Sequence, residues 1–431
     1  MKILLVNPPM VRRLVEPLPP LGIAYLAAAL EEKDMDVTLL DMDILNLSHE
    51  EYRSMVAREN PDVVGITGIT QQFCNGKNIA QITKQVIPDC FVMMGGPHVT
   101  FYAPETLQEC DEVDAVVRGE GEVTITEVIQ YLQGERDAST IKGITYRDGK
   151  SILSTQDRAY LEDVDSLPLP ARHLLPLEKY SERGSLITSR GCPGLCSFCS
   201  SFRLLGATFR GRSVERVIDE LEYELMEKYH YTTFFFIDDT FTFYPKRTRL
   251  ICEEILRRGL AVEWGCNTRV DKVSDELLQL MSKAGCTKVC FGLESIHPET
   301  LSLLGKNITP LQVREAVASA HNYNIDVNLA FMLGLPGETP QMIKETIDFV
   351  ADINLGPRQE ITPLNLYPGT ALYENAGELG MKFTAKDWSD YDDPLFPVVE
   401  TRECTRSDMI GIWTYLAKKL VTSHSLLKKE E

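Results

Sequence analysis

Short runs of uninterrupted apolar residues alternate with helical patterns through the first 135 positions. The runs are ILLV (3–6), VTLL (37–40), DVVGIT (62–67), FVMMGG (91–96) and DAVVRG (114–119), with helical spacing at 23–30, 50–58, 78–87 and 122–132. Strands that are apolar along their whole length are buried on both faces, the pattern of a parallel sheet covered by helices. This predicts an α/β, five-stranded, doubly wound Rossmann-like domain over 1–135, with its ligand beyond the C-terminal strand ends. Residues 136–183 read as a connector, with a hairpin around ITYRDGKSI and then the proline-rich DVDSLPLPARHLLP.

From Ser185 the alternation resumes on a longer scale. Strand candidates are SLITS (185–189), TFFFID (233–238), VEWGCNTR (262–269), TKVCFGLES (287–295), DVNLAFMLG (326–334) and ITPLNLY (361–367). Helical patterns over 213–229 and 274–284 open on serine N-cap signals, and those over 310–323 and 340–353 on Thr-Pro. Six β/α units make a partial (β/α)6 barrel over 184–373, whose site belongs at the C-terminal strand ends. Residues 374–431 form a small C-terminal helical region. With Trp388, Tyr391 and Trp413 it either shapes a substrate entrance or caps the open barrel.

Composition narrows the class. The 431 residues are 44% hydrophobic, enough for two or three cored domains, and no apolar run reaches membrane-spanning length. MKILLVNPP reads as a buried strand, not a secretion signal, and the basic C-terminal end as a solvated helix terminus. A net charge of −19 argues against nucleic-acid binding. Eleven cysteines without a disulfide-like framework fit a reducing cytoplasm.

Cys192, Cys196 and Cys199, in SRGCPGLCSFCS, are spaced C-x3-C-x2-C directly after the first barrel strand. Three thiolates on one loop suit a 4Fe–4S cube with one iron left open to a small molecule. Zinc is the rival, but a structural zinc site takes four ligands and no fourth Cys or His is near. Cys286 and Cys290 repeat the C-x3-C spacing on a predicted strand and read as reduced core thiols.

A cysteine loop in that place resembles the radical S-adenosylmethionine superfamily. The resemblance implies that Cys192, Cys196 and Cys199 hold the cluster and that the open iron binds the methionyl group of S-adenosylmethionine. It also implies contacts to that cofactor from Phe198, from Asp238 and Asp239 after the second strand, and from Arg269. Glu294 on the fourth strand and Gly334 in FMLGLPGET complete the set. LYPGT (366–370) ends the sixth strand as in cobalamin-dependent members.

The first domain resembles the cobalamin-binding module of the same family through ILLVNPP, PPLGIAYLAAAL, TGIT, GGPH and RGEGE. The implied cobalamin contacts are Asn7, Thr67, Gly68, Thr70, Gln71, Gln72, Gly95, Gly96, His98, Gly119 and Glu120. The D-x-H-x-x-G of histidine-ligated cobalamin proteins is missing after the first strand, so base-off cobalamin without a His ligand is implied. Its lower face is left open or covered by that loop, Gln71 or Gln72. A nucleotide or flavin sheet is disfavoured by the lack of G-x-G-x-x-G.

Together these resemblances imply a cobalamin-dependent radical methyltransferase. One S-adenosylmethionine methylates the cobalamin, and a second yields a 5′-deoxyadenosyl radical that activates an unreactive carbon. The alternative is a cyclase resembling the anaerobic magnesium-protoporphyrin ester cyclase. The implied substrate is a small molecule such as a natural-product precursor, a lipid or a tetrapyrrole, or a protein side chain such as a glutamine of methyl-coenzyme M reductase. The implied electron donor is a ferredoxin or flavodoxin.

Overall fold

The computed structural model describes residues 1–11, 17–353, 359–392 and 397–427. Strands β1 (Lys2–Asn7), β2 (Asp36–Asp41), β3 (Val63–Thr67), β4 (Phe91–Gly95) and β5 (Ala115–Val117) pair in parallel. The hairpin β6 (Ile144–Asp148) and β7 (Ser151–Ser154) adds antiparallel at the β5 edge. The sheet therefore has seven strands, in the order β2-β1-β3-β4-β5-β6-β7. The hairpin predicted inside the connector belongs to this sheet, because β5 offers an open edge for it.

Alternation along β1 sorts side chains to two faces. Ile3 and Leu5 join one core with the helix Leu21–Glu31, while Leu4 and Val6 join another with His49–Glu59 and Phe73–Val86. Each such buried side chain contributes about 1.5–3 kcal/mol. Chain order reverses between β1 and β3, so a crevice opens beyond Asn7 and Thr67.

The second sheet holds six parallel strands that follow the chain in order. They are β8 (Gly184–Leu186), β11 (Thr233–Phe236), β12 (Glu263–Thr268), β13 (Cys286–Glu294), β14 (Asp326–Leu333) and β15 (Glu360–Pro363). Its outer strands β8 and β15 do not pair with each other, which leaves the barrel open. A short antiparallel bridge, β9 (Ser189–Arg190) with β10 (Arg210–Gly211), brackets the cysteine loop. The helices are capped where the sequence indicated: Ser213, Ser274, Thr309 and Thr339 each accept an N–H from the first turn. Phe236, Trp264, Phe291 and Phe331 fill the barrel core, and Cys286 and Cys290 are buried with it.

After β15 the chain crosses to the first sheet's helices through residues 371–391. It then returns as the helix Arg406–Leu427, which packs on Pro340–Asp352. No helix among the described residues is long and apolar enough to cross a membrane.

Candidate active site

Strand ends of the two sheets meet around one cavity of about 280 Å³. Thr67, Gly95, Gly96 and Gly119 line it from the first sheet; Ser189, Arg190, Asp238 and Asp239 line it from the barrel. Its floor is apolar, with Leu5, Ile23, Met93 and Ile125. An added Cβ at Gly22 or Gly119 would meet no atom within 4 Å, so at both positions a missing side chain opens the cavity.

The cysteine loop is anchored by backbone on both sides. Cys192 N–H donates to the Gly206 carbonyl at 3.1 Å, and Ser197 N–H to the Leu304 carbonyl at 3.0 Å. Gly191 adopts φ +80°, and a Cβ there would lie 2.3 Å from the Thr208 carbonyl, so only glycine fits. A Cβ on Gly194 would touch Cys192 Sγ at 3.4 Å and Cys196 Sγ at 3.9 Å, which places both thiols around that glycine. Cys199 Sγ accepts the Ser201 N–H at 3.4 Å. Among the described residues no three His, Cys, Asp or Glu side chains close around a single-ion site. Thiols spread along a loop suit a cube, which takes one thiolate at each of three irons. Burial pushes all three thiols up, while Lys306 and Arg269 pull Cys196 back toward the thiolate.

The other barrel candidates separate by how far their polar atoms are committed. Asp238 accepts the Thr188 N–H at 3.1 Å and the Thr188 and Ser189 hydroxyls, so it fastens the start of the cysteine loop. Asp239 accepts the Ser201 hydroxyl at 3.0 Å and faces the cavity, its pKa raised by burial. Arg269 places Nη1 3.8 Å from Cys196 Sγ and pairs with Asp271. Glu294, at φ +63°, accepts from Lys306 Nζ at 2.6 Å. The same ammonium donates to the Gly292 carbonyl and lies 6.0 Å from the Phe198 ring centroid. Phe198, Glu294 and Lys306 thus gather near Cys196. Gly334, at φ +83°, lies under Met409 of the C-terminal helix.

On the first sheet several expected cobalamin contacts are turned to one another. Asn7 donates to Asp41 at 2.9 Å and accepts from Gln72, whose amide also donates to the Pro8 carbonyl at 2.6 Å. Gln71 reaches across to the Tyr367 hydroxyl of the barrel side at 2.8 Å. Thr70 bonds His98 Nδ1 at 3.1 Å, and the His98 ring packs between Phe73 and Trp388, outside the cavity lining. Burial, and secondarily Lys77, lowers the His98 pKa to about 3. Gly68 backs Gly96, its carbonyl 2.7 Å from where a Cβ would stand.

Glu120 lines the cavity, but Arg190, Arg210 and the Leu161 N–H occupy its carboxylate. Arg190 bonds both Glu120 and Glu122, and all three side chains are buried. These pairs tie the last loop of the first sheet to the residue two before Cys192. Sequence reasoning missed Arg190, Arg210, Glu122, Lys306 and Tyr367. Glu122 closes the quoted RGEGE and Arg190 is the second residue of the quoted SRGCPGLCSFCS, so position was the available signal.

Residues 9–129 match the family model of the B12 binding domain, and residues 186–350 that of the radical SAM superfamily. An uncharacterized methyltransferase of Pyrococcus horikoshii, PH0819, is 37% identical over 94% of this chain and 89% of its own length. This chain belongs to the cobalamin-binding radical S-adenosylmethionine family of enzymes. The anaerobic magnesium-protoporphyrin IX monomethyl ester cyclase of Rubrivivax gelatinosus is 32% identical over 91% of this chain and 72% of its own. The fold is shared with TsrM of Kitasatospora setae, a radical S-adenosylmethionine methyltransferase solved with cobalamin and a [4Fe-4S] cluster. Its TM-score is 0.75 at 20% identity, over 95% of this chain and 81% of that one.

The family's cofactors are cobalamin, S-adenosylmethionine and a 4Fe–4S cluster, and the residues here fit all three. The glycine-lined, apolar-floored cavity fits part of a cobalamin, the three thiols on one loop fit a cube, and Asp239 supplies a carboxylate at the cavity wall.

Proposed function

We propose that this protein is a cobalamin-dependent radical S-adenosylmethionine methyltransferase that C-methylates an unactivated carbon. One observation carries the reading: glycines of the first sheet and carboxylates of the barrel line the same cavity. When bound, the cluster with S-adenosylmethionine supplies a carbon-centred radical, and cobalamin supplies the methyl group.

The chain's own side chains bind and orient. Cys192, Cys196 and Cys199 hold the cluster, and Arg269 and Lys306 set positive charge beside Cys196. Asp239 receives the methionyl amine; Asp238 positions the loop through Thr188 and Ser189 instead of touching the cofactor. Glu294, oriented by Lys306, receives the ribose, with Phe198 beside the adenine and the Gly334 backbone at its edge. Gly95, Gly96 and Gly119 admit cobalamin, and Thr67 lines its pocket. Among the described residues no histidine lines that cavity, which supports base-off binding without a His ligand. The hydrogen leaves the substrate as an atom, so no side chain is needed as a general base. A low-potential ferredoxin or flavodoxin delivers the electron.

The alternative, ring formation without net methyl transfer, is favoured by the similarity to the R. gelatinosus cyclase. Anaerobic incubation with methyl-labelled S-adenosylmethionine and extract from cells lacking this protein separates the two. Label in a new product is expected. Deoxyadenosine formation with an unlabelled product selects the cyclase, and no deoxyadenosine at all overturns both.

A further inference from the structure

The connector between the two sheets sends one side chain onto the cysteine loop. Its run 155–158 is sewn to the first domain: Gly143 N–H donates to the Gln156 carbonyl at 2.8 Å, and Arg158 Nε to the Thr124 hydroxyl at 2.8 Å. Two residues on, Tyr160 lies against the arm 200–206 that returns from Cys199. Its hydroxyl donates to the Arg203 carbonyl at 2.7 Å. Its ring covers Gly206 so closely that a Cβ there would stand 3.0 Å from Tyr160 Cδ2. Gly206 has φ +90°, so both its backbone and the ring above it require glycine.

The carbonyls of this arm are taken up in turn. The Arg203 carbonyl accepts from Tyr160, the Leu205 carbonyl from Arg210, and the Gly206 carbonyl from the Cys192 N–H at 3.1 Å. Arg210 places its guanidinium carbon 5.3 Å from the Tyr160 ring centroid and also donates to the Leu161 carbonyl and to Glu120. The connector, the last loop of the first sheet and the cysteine loop therefore meet at one ring. Tyr160 is 40% exposed, so the ring stands between the arm and solvent, while Leu205 of the same arm lines the cavity between the sheets. Where a ligand's backbone is held decides where its thiolate lies, and hydrogen bonds and water access around the sulfurs tune a cluster.

We propose that Tyr160 is a positioning residue for the iron–sulfur cluster, acting on Cys192 through the Arg203–Gly206 backbone. The proposal rests on reading the three thiols as cluster ligands. Tyr160 falls between the regions that match the family models, 9–129 and 186–350. The connector thus supports the cluster as well as joining the two domains.

The test compares the full-length wild type with Tyr160→Phe and Tyr160→Ala, each loaded anaerobically with cluster and cobalamin. The iron chelator bathophenanthroline should strip the cluster about tenfold faster from Tyr160→Ala, which lacks both ring and hydroxyl. Tyr160→Phe keeps the ring over Gly206 and should lose its cluster only about threefold faster than wild type. The electron paramagnetic resonance spectrum of the reduced cluster should broaden in Tyr160→Ala, as Cys192 takes more than one position, while cobalamin affinity stays unchanged. A wild-type spectrum or a wild-type stripping rate in Tyr160→Ala overturns the proposal, even where the unfolding midpoint falls, because packing alone would move only the midpoint. A Tyr160→Ala chain that has lost its fold is recognised by lost cobalamin binding. Tyr160→Phe then decides, and stripping at the wild-type rate there overturns the proposal. A wild-type chain that holds no cluster sinks the reading of the thiols as well; a cluster-bearing chain indifferent to Tyr160 sinks this proposal alone.

Discussion

The two sheets meet at one cavity but prepare it in opposite ways. On the first sheet the polar side chains are already engaged, Asn7 with Gln72, Thr70 with His98 and Glu120 with Arg190 from the barrel side, and space is made by glycine. At the barrel mouth the reactive groups are presented: three thiols, Asp239, and Glu294 with Lys306. On the proposed function, one half receives a large molecule by shape and the other ligates small groups by charge and thiolate. The difference teaches that removing a donor should injure the barrel half, while adding bulk should injure the first.

The largest effect is expected at the thiols. Cys192→Ala should leave the cluster without one of its three ligands and lower S-adenosylmethionine cleavage by at least about 100-fold. Cobalamin titration should stay unchanged; a parallel loss of cobalamin would mean the two halves are not separable. Next comes the tie between them. Arg190→Met strands Glu122 in a buried site, and breaking such a pair costs about 3–5 kcal/mol. Denaturant unfolding of the cofactor-free chain should show that loss, much of it recovered in Arg190→Met/Glu122→Leu. A single-variant cost below about 1 kcal/mol would place the pair among solvent-screened ones.

A smaller, selective effect is expected from bulk. Gly22→Leu fills open cavity space from within a helix, so stability should hold while cobalamin binds about tenfold more weakly. Spectra of the reconstituted cluster should not change. The last effect concerns pH and touches stability alone. His98 has a folded-state pKa near 3 against 6.5 unfolded, so the unfolded chain binds the extra proton between those values. Stability is therefore full above about pH 6.5 and falls as pH drops toward 3, by up to about 1.4 kcal/mol per unit. His98→Phe should flatten that slope in unfolding curves between pH 6.5 and 4.5; an unchanged slope would assign it to other groups.

The alternation of apolar runs with helices was readable because each run is buried on both faces, and the caps because their signal is local. Two placements were beyond the local pattern for one cause. The hairpin at 144–154 was assigned to the connector, and the region holding Trp388, Tyr391 and Trp413 was left open between a substrate entrance and a cap on the barrel. Where each docks depends on an open edge or a helix face distant in sequence. β5 takes the hairpin, and Trp413 packs on the barrel's outer helices. Lys306 was invisible for the same reason: nothing in LLGKN announces that its ammonium folds back twelve residues onto Glu294. Gln71 and Gln72 were read from strand-end position, which says nothing of the direction of their amides, turned here to Tyr367 and to Asn7 and Pro8. Glycines at strand ends were legible because they leave space wherever the chain turns.

The central claim is that both halves face one chamber. Electron paramagnetic resonance of the protein carrying cob(II)alamin, with the cluster oxidised and then reduced, tests it most directly. The account predicts that the cobalt signal relaxes faster and broadens when the cluster becomes paramagnetic. A cobalt signal indifferent to the cluster's redox state would place the two cofactors apart and contradict it.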